Sequence, residues 1–186
     1  AREEGAALAR LLQGQADLEA FAFEKAAVEL EAAAKLSADL PRINFLLGLA
    51  YFKLGRLPEA RERLEREINR DPDDFLSLYY LASLLEKQND LDSAGRRIEA
   101  ALAQQPQSVE ALTLAGGVFF KQGRTAEAVR VLERATQEQP DNSEARYLLA
   151  RGYQKLGRKQ EAAREFKEVE RLKAQANERE KERNPN

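Results

Sequence analysis

Apolar residues recur along this chain at the spacing of one helix face, as in Leu47, Ala50, Tyr51 and Leu54. Ala, Leu, Glu and Arg dominate between them and β-branched residues are sparse, so the pattern predicts helices and not strands. Each apolar block is short and is broken by Gly or Asn, then by Pro, which predicts helix pairs joined by tight turns. The breaks are periodic. Asp71-Pro72, Gln105-Pro106 and Gln139-Pro140 stand 34 residues apart, and that period divides the chain into five units: 7–40, 41–74, 75–108, 109–142 and 143–176.

The register is tested by what else it aligns. Position 20 of the unit reads Ala26, Ala60, Ala94, Ala128 and Ala162, and position 8 reads Gly14, Gly48, Ala82, Gly116 and Ala150. Small side chains there let two antiparallel helices approach closely. Position 24 reads Leu30, Leu64, Ile98, Leu132 and Phe166, large groups that fill space between elements. Position 15 reads Phe21, Gly55, Asn89, Gly123 and Gly157; Gly or Asn tolerates the left-handed backbone that ends a helix.

A repeat of this length with these columns resembles the tetratricopeptide repeat over residues 7–176. Unit 41–74 fits best, with Leu47-Gly48, Tyr51, Gly55, Ala60, Leu64 and Pro72 on signature positions. The resemblance implies an all-α, right-handed α-solenoid of antiparallel helix pairs over residues 1–176, followed by a charged helical extension and a frayed end at 177–186. Three departures stand out. The aromatic expected at position 4 is replaced by Arg10, Asn44, Leu78, Leu112 and Arg146. Phe21 sits where the turn Gly belongs, which predicts a turn of different shape in unit 7–40. Glu67 occupies position 27, small or apolar elsewhere, and is either paired with an Arg or marks a loosened contact.

The last unit carries Ala174 in place of the closing Pro, and helix-favouring sequence continues through 163–183. Glu168 and Arg171, Glu170 and Lys173, and Glu180 and Arg183 are spaced for ion pairs along one helix, the pattern of a solvated cap. Self-association through this helix or through the convex face is the alternative role.

Composition narrows the chemistry. With 30 basic and 32 acidic residues there is no basic excess to bind nucleic acid. His and Cys are absent, which removes imidazole bases, thiolates and the usual zinc ligands. Asp71, Asp73 and Asp74 lack the Gly and Glu of a calcium loop and read as helix caps. Gly116-Gly117 lies inside a helix and not in a phosphate-binding loop. No catalytic residue, cofactor or metal is assigned, and no segment has the apolar length to enter a membrane. The chain starts at Ala1 and has no Met, which predicts a processed product or an excised piece of a larger protein. The composition fits the cytoplasm and an exported protein equally.

What remains is binding. The resemblance implies that positions 2, 5, 9, 12 and 13 line a concave groove. Phe45, Leu49, Phe52 and Tyr79 fall there, extended by Phe120 and Tyr147, and together offer apolar anchors on a face that should see solvent. Lys53, Lys87, Lys121 and Lys155 repeat down the same groove, with Arg42 and Arg151 beside them, a ladder suited to acidic flanks on a peptide or protein partner. The chaperone-binding members of the family clamp a C-terminal carboxylate with Lys at position 5 and Asn at position 9. This chain has Leu11/Gln15, Phe45/Leu49, Tyr79/Ser83, Thr113/Gly117 and Tyr147/Arg151 there, so no such clamp is expected.

Overall fold

The computed structural model describes residues 2–183, and among them the chain forms α-helices α1 (Arg2–Glu19), α2 (Phe23–Leu36), α3 (Ile43–Lys53), α4 (Leu57–Arg70), α5 (Phe75–Lys87), α6 (Leu91–Gln104), α7 (Val109–Lys121), α8 (Thr125–Glu138), α9 (Ser143–Lys155) and α10 (Lys159–Arg183). No strand is present among the described residues. The Asn184-Pro185-Asn186 end lies outside them.

The first helices of three units start on a side-chain cap. Asp74, Ser108 and Asn142 accept the third-residue N–H of α5, α7 and α9, from Ser77, Ala111 and Ala145. Unit 41–74 lacks this device, because Leu40 stands in the capping position and Pro41 follows it. Helix α3 accordingly starts two residues later in the repeat, behind Arg42 at φ 59°, and has no side-chain cap. Its third N–H, from Phe45, donates instead to Glu67 Oε2 at 3.2 Å. Glu67 is buried, so the exceptional carboxylate on α4 is neither an Arg partner nor a loosened contact. It satisfies a donor that water cannot reach.

The turns inside the five helix pairs each carry a residue of positive φ at position 15. Gly55, Gly123 and Gly157 have φ of 73°, 79° and 76°, and Asn89 has 60°. Phe21 adopts 58° as well, with its side chain 79% exposed. The different turn predicted for unit 7–40 is therefore not found. The Ala22 N–H closes on Asp17 O just as the Arg56, Arg124 and Arg158 N–H groups close on Tyr51, Phe119 and Tyr153 O. The helix-ending hydrogen bond dictates the conformation, and Phe21 is strained to meet it.

The chain divides into two compact units, residues 1–88 and 89–186. In the first, α1 packs on α2, α2 on α3, α3 on α4 and α4 on α5. Leu30, Leu47, Leu64, Leu81 and Leu84 form its buried interior. A β-carbon on Gly48 would stand 2.8 Å from Leu64 Cγ, so the small residue at position 8 makes room for the large one at position 24 of its own unit. In the second, Leu112, Val129, Leu132, Leu149 and Tyr153 gather into one core, with Phe166 of α10 against it.

The missing aromatic at position 4 is compensated at position 23. Arg10 pairs with Glu29 at 2.8 Å, Arg63 donates to Asn44 at 3.3 Å, and Arg146 pairs with Glu165 at 2.6 Å. Leu112 belongs to the apolar cluster against which Val131 packs. Each combination fills the same gap between paired helices with complementary chemistry.

Candidate partner-binding surfaces

In unit 1–88 the aromatic groups of α3 and α5 converge on Tyr80. Phe45 lies 6.1 Å, Phe52 5.5 Å and Tyr79 5.3 Å from its ring centre, and Lys53 Nζ sits 6.0 Å above it. Tyr79 in turn stacks on Phe75 at 6.2 Å. Burial pushes the Tyr80 hydroxyl pKa upward. Leu49, Phe52, Tyr79 and Tyr80 are half-buried, and Lys53 and Lys87 are exposed.

Phe45 departs from the expectation that it faces solvent. It is 5% exposed, covered by Tyr80 on one side and by the Arg42 guanidinium 4.4 Å from its ring centre. Leu11 and Thr113, at the same repeat position, are also buried. In these three units position 5 sits at the floor of the first-helix face, whereas Tyr79 and Tyr147 in the same column rise to the surface; Phe45 supports the rings above it.

Sequence reasoning missed Tyr80. It occupies position 6, where the other units carry Leu12, Leu46, Leu114 and Leu148, a column outside the groove positions 2, 5, 9, 12 and 13. A hydroxyl-bearing aromatic in a column of Leu was the signal available: its apolar body packs inward while its polar tip favours an edge.

In unit 89–186 the corresponding surface sets cations directly against its rings. Arg151 lies 5.1 Å from the Phe120 ring centre and 5.9 Å from that of Tyr147, and Lys155 Nζ lies 5.0 Å from Phe120. Tyr147 is 44% exposed, and its inner edge meets Phe166 at 6.1 Å. Lys121, Arg151 and Lys155 are exposed. Thr113 is turned inward, donating its hydroxyl to Val109 O at 2.7 Å.

A third feature carries perturbed titration without reading as a reactive site. The Tyr51 hydroxyl donates to Glu31 at 2.7 Å beneath Arg56, and Tyr153 donates to Glu133 at 2.7 Å beneath Arg158. Burial, reinforced by the neighbouring carboxylate, raises Tyr51 to about 12 and raises Tyr153 as well. Arg124 repeats the arrangement over Phe119, bonded to Glu99 and Glu127. Recurrence at one repeat position marks a staple between successive helix pairs, whereas a catalytic site would be single. Among the described residues no group of His, Cys, Asp and Glu is arranged to hold a metal, and no helix is long and apolar enough to cross a membrane.

Comparison with known proteins follows the same repeat. The family model "Tetratricopeptide repeat" matches residues 11–75 and 45–109, and the model "Anaphase-promoting complex, cyclosome, subunit 3" matches residues 87–169. No curated protein sequence matches the chain. Among solved structures, a MamA RS-1 double mutant is similar at 20% identity and a TM-score of 0.84, covering 92% of this chain and 96% of its own. MamA from Desulfovibrio magneticus RS-1, residue 41 to its end, gives 20% identity and 0.83 over 91% and 96%. A MamA MSR-1 structure gives 23% and 0.80 over 91% and 98%. At these identities the likeness is one of fold.

Proposed function

The chain belongs to the tetratricopeptide-repeat family, and from that premise we propose that it is a non-catalytic interaction module that captures a peptide segment of a partner protein on the first-helix face of its repeats. The observation that carries this reading is the aromatic patch of α3 and α5. Phe52, Tyr79 and Tyr80 crowd together at half-burial where a solvated helix face needs no rings at all. Phe45 and Arg42 hold them from below and Lys53 borders them. Such rings lose little conformational freedom when covered, which makes them effective anchors. In this reading Leu49, Phe52 and Tyr79 are the anchors and Lys53 and Lys87 orient the segment. Phe120, Tyr147, Lys121, Arg151 and Lys155 serve in the second unit.

The test is affinity capture of partners from the source lysate by the full chain and by a Phe52→Ala/Tyr79→Ala variant. Both side chains are partly exposed, so helicity should be retained, whereas Phe45→Ala would open the core and confuse the result. Partners held by the unaltered chain should be lost from the variant. Unchanged capture by a fully helical variant would remove the patch from the account.

A further inference from the structure

Resting on that reading, we infer that the α7–α9 face of unit 89–186 is a notch for an acidic peptide segment, with Gly117 as its floor and Arg151 and Lys155 as its cationic wall. The first observation is a glycine without a packing reason. Glycine in a helix interior destabilises by about 1 kcal/mol relative to alanine and survives where something needs the space. At Gly116 that something is Leu132, which a β-carbon would strike. At the adjacent Gly117 a β-carbon would meet nothing within 4 Å. No group of this chain uses the room, yet it lies one helical turn before Phe120 on the same face of α7. A partner's chain can therefore approach the α7 backbone where any side chain would hold it off. Thr113, one turn earlier, keeps the strip low by turning its hydroxyl back onto the helix.

The second observation is cations fixed without counter-ions. Arg151 and Lys155, one turn apart on α9, both rest against the Phe120 ring, and Arg151 also reaches Tyr147. Among the described residues neither is paired with a carboxylate, while on either side Arg146 holds Glu165 and Arg158 holds Glu133 and Glu161. Ring contact restrains the two side chains with their charged ends at the surface, so little further ordering is needed when an anion arrives. Their charge complements Asp or Glu, and the exposed Tyr147 edge suits an apolar neighbour of that residue. The occupant is thus a segment in which a carboxylate adjoins an aliphatic or aromatic side chain. Carboxylate recognition here uses Arg and Lys over an aromatic ring, without the Lys and Asn pair of the family's clamp.

The experiment pans the full chain against a displayed library of random peptides, then measures one enriched synthetic peptide by fluorescence anisotropy. Enrichment of Asp or Glu beside apolar residues is expected. Arg151→Glu with Lys155→Glu should weaken the peptide by roughly tenfold or more, with much of the effect screened by salt. Gly117→Leu should weaken it comparably by filling the notch. Gly117→Ala adds one methyl group in open space, so it should raise the melting temperature while lowering affinity, which separates the notch from any folding defect. An enriched pool with no acidic excess, or affinity indifferent to both the Gly117 variants and the charge reversal, overturns the inference. If such peptides instead depend on Phe52 and Tyr79, this site fails and the interaction reading stands; if no peptide is enriched, both fail.

Discussion

At the scale of the residue, Phe21 shows most plainly how repeat geometry overrides local preference. A bulky side chain held at φ 58° costs about 1–2 kcal/mol relative to the right-handed region. Its ring returns little, being 79% exposed with one edge contact to Phe23 at 6.1 Å. Phe21→Gly should therefore stabilise the fold by about 1 kcal/mol, less than the full strain because glycine also frees the unfolded chain. Urea unfolding at constant slope is the measurement, and a lower midpoint would show that the ring does more than its contacts indicate. The same residue marks what was legible in the sequence. The columns at positions 8, 15, 20 and 24 predicted the helix pairs because each residue there meets a requirement local to its own hairpin. The turn at Phe21 was misread because its conformation is imposed by the Ala22-to-Asp17 hydrogen bond and not by its side chain. Glu67 was undecided for a related reason: it serves the start of α3, and only folding brings it to Phe45. Phe45 itself was placed on the solvent side by its repeat position, yet its burial depends on Tyr80, a residue particular to this chain.

Between elements, the recurring unit of cohesion is the Tyr–Glu–Arg staple. Glu31 on α2 receives Tyr51 of α3, and Glu133 on α8 receives Tyr153 of α9; Arg56 and Arg158 cover the two rings. Repeat 75–108 carries Leu85 and Asp90 where the staple would need an aromatic and an Arg, and Glu65, at the staple's carboxylate position on α4, pairs instead with Arg61 at 2.9 Å. Because both phenols are held protonated, the staple makes stability depend on alkaline pH. Tyr51 goes from its ordinary value of 10.0 to about 12 on folding. Below pH 10 both folded and unfolded states keep the proton and the stabilisation is fully present. Between about 10 and 12 the unfolded state ionises first, so stability falls through that window. A Tyr51→Phe/Tyr153→Phe variant should be less stable than the unaltered chain at neutral pH, because two buried-side hydrogen bonds are gone. The difference should shrink as pH rises through the window, since the variant has no phenol to ionise there. Thermal melts of both chains at matched alkaline pH values read this directly, with lysine titration common to the pair. Parallel pH curves would mean that the phenols do not titrate on unfolding as described.

For the molecule as a whole, the question is where folding stops being collective. Helix α10 is continuous from Lys159 to Arg183, but its character changes along its length. Val169 is buried and Leu172 half-buried, whereas residues 173–180 are all exposed. Isolated helices of that length are marginal in water, and ion pairs such as Glu168–Arg171 at 2.9 Å contribute only about 0.2–0.5 kcal/mol each. The distal turns therefore persist because the packed turns before them have already nucleated the helix, so dependence runs one way: the array supports the extension, and the extension does not support the array. A chain ending at Leu172 should lose helical signal in proportion to the residues removed. Its melting temperature should stay within about 2 °C of the longer chain, since 1 kcal/mol shifts a protein of this size by about 2–4 °C. Sedimentation of the two chains over a concentration range decides the competing role, because a helix that joins copies would change the oligomeric state when removed. Unaltered melting with unaltered sedimentation assigns the extension to solubility at the open end of the array; a fall of about 5 °C or more would place it among the elements that hold the fold together.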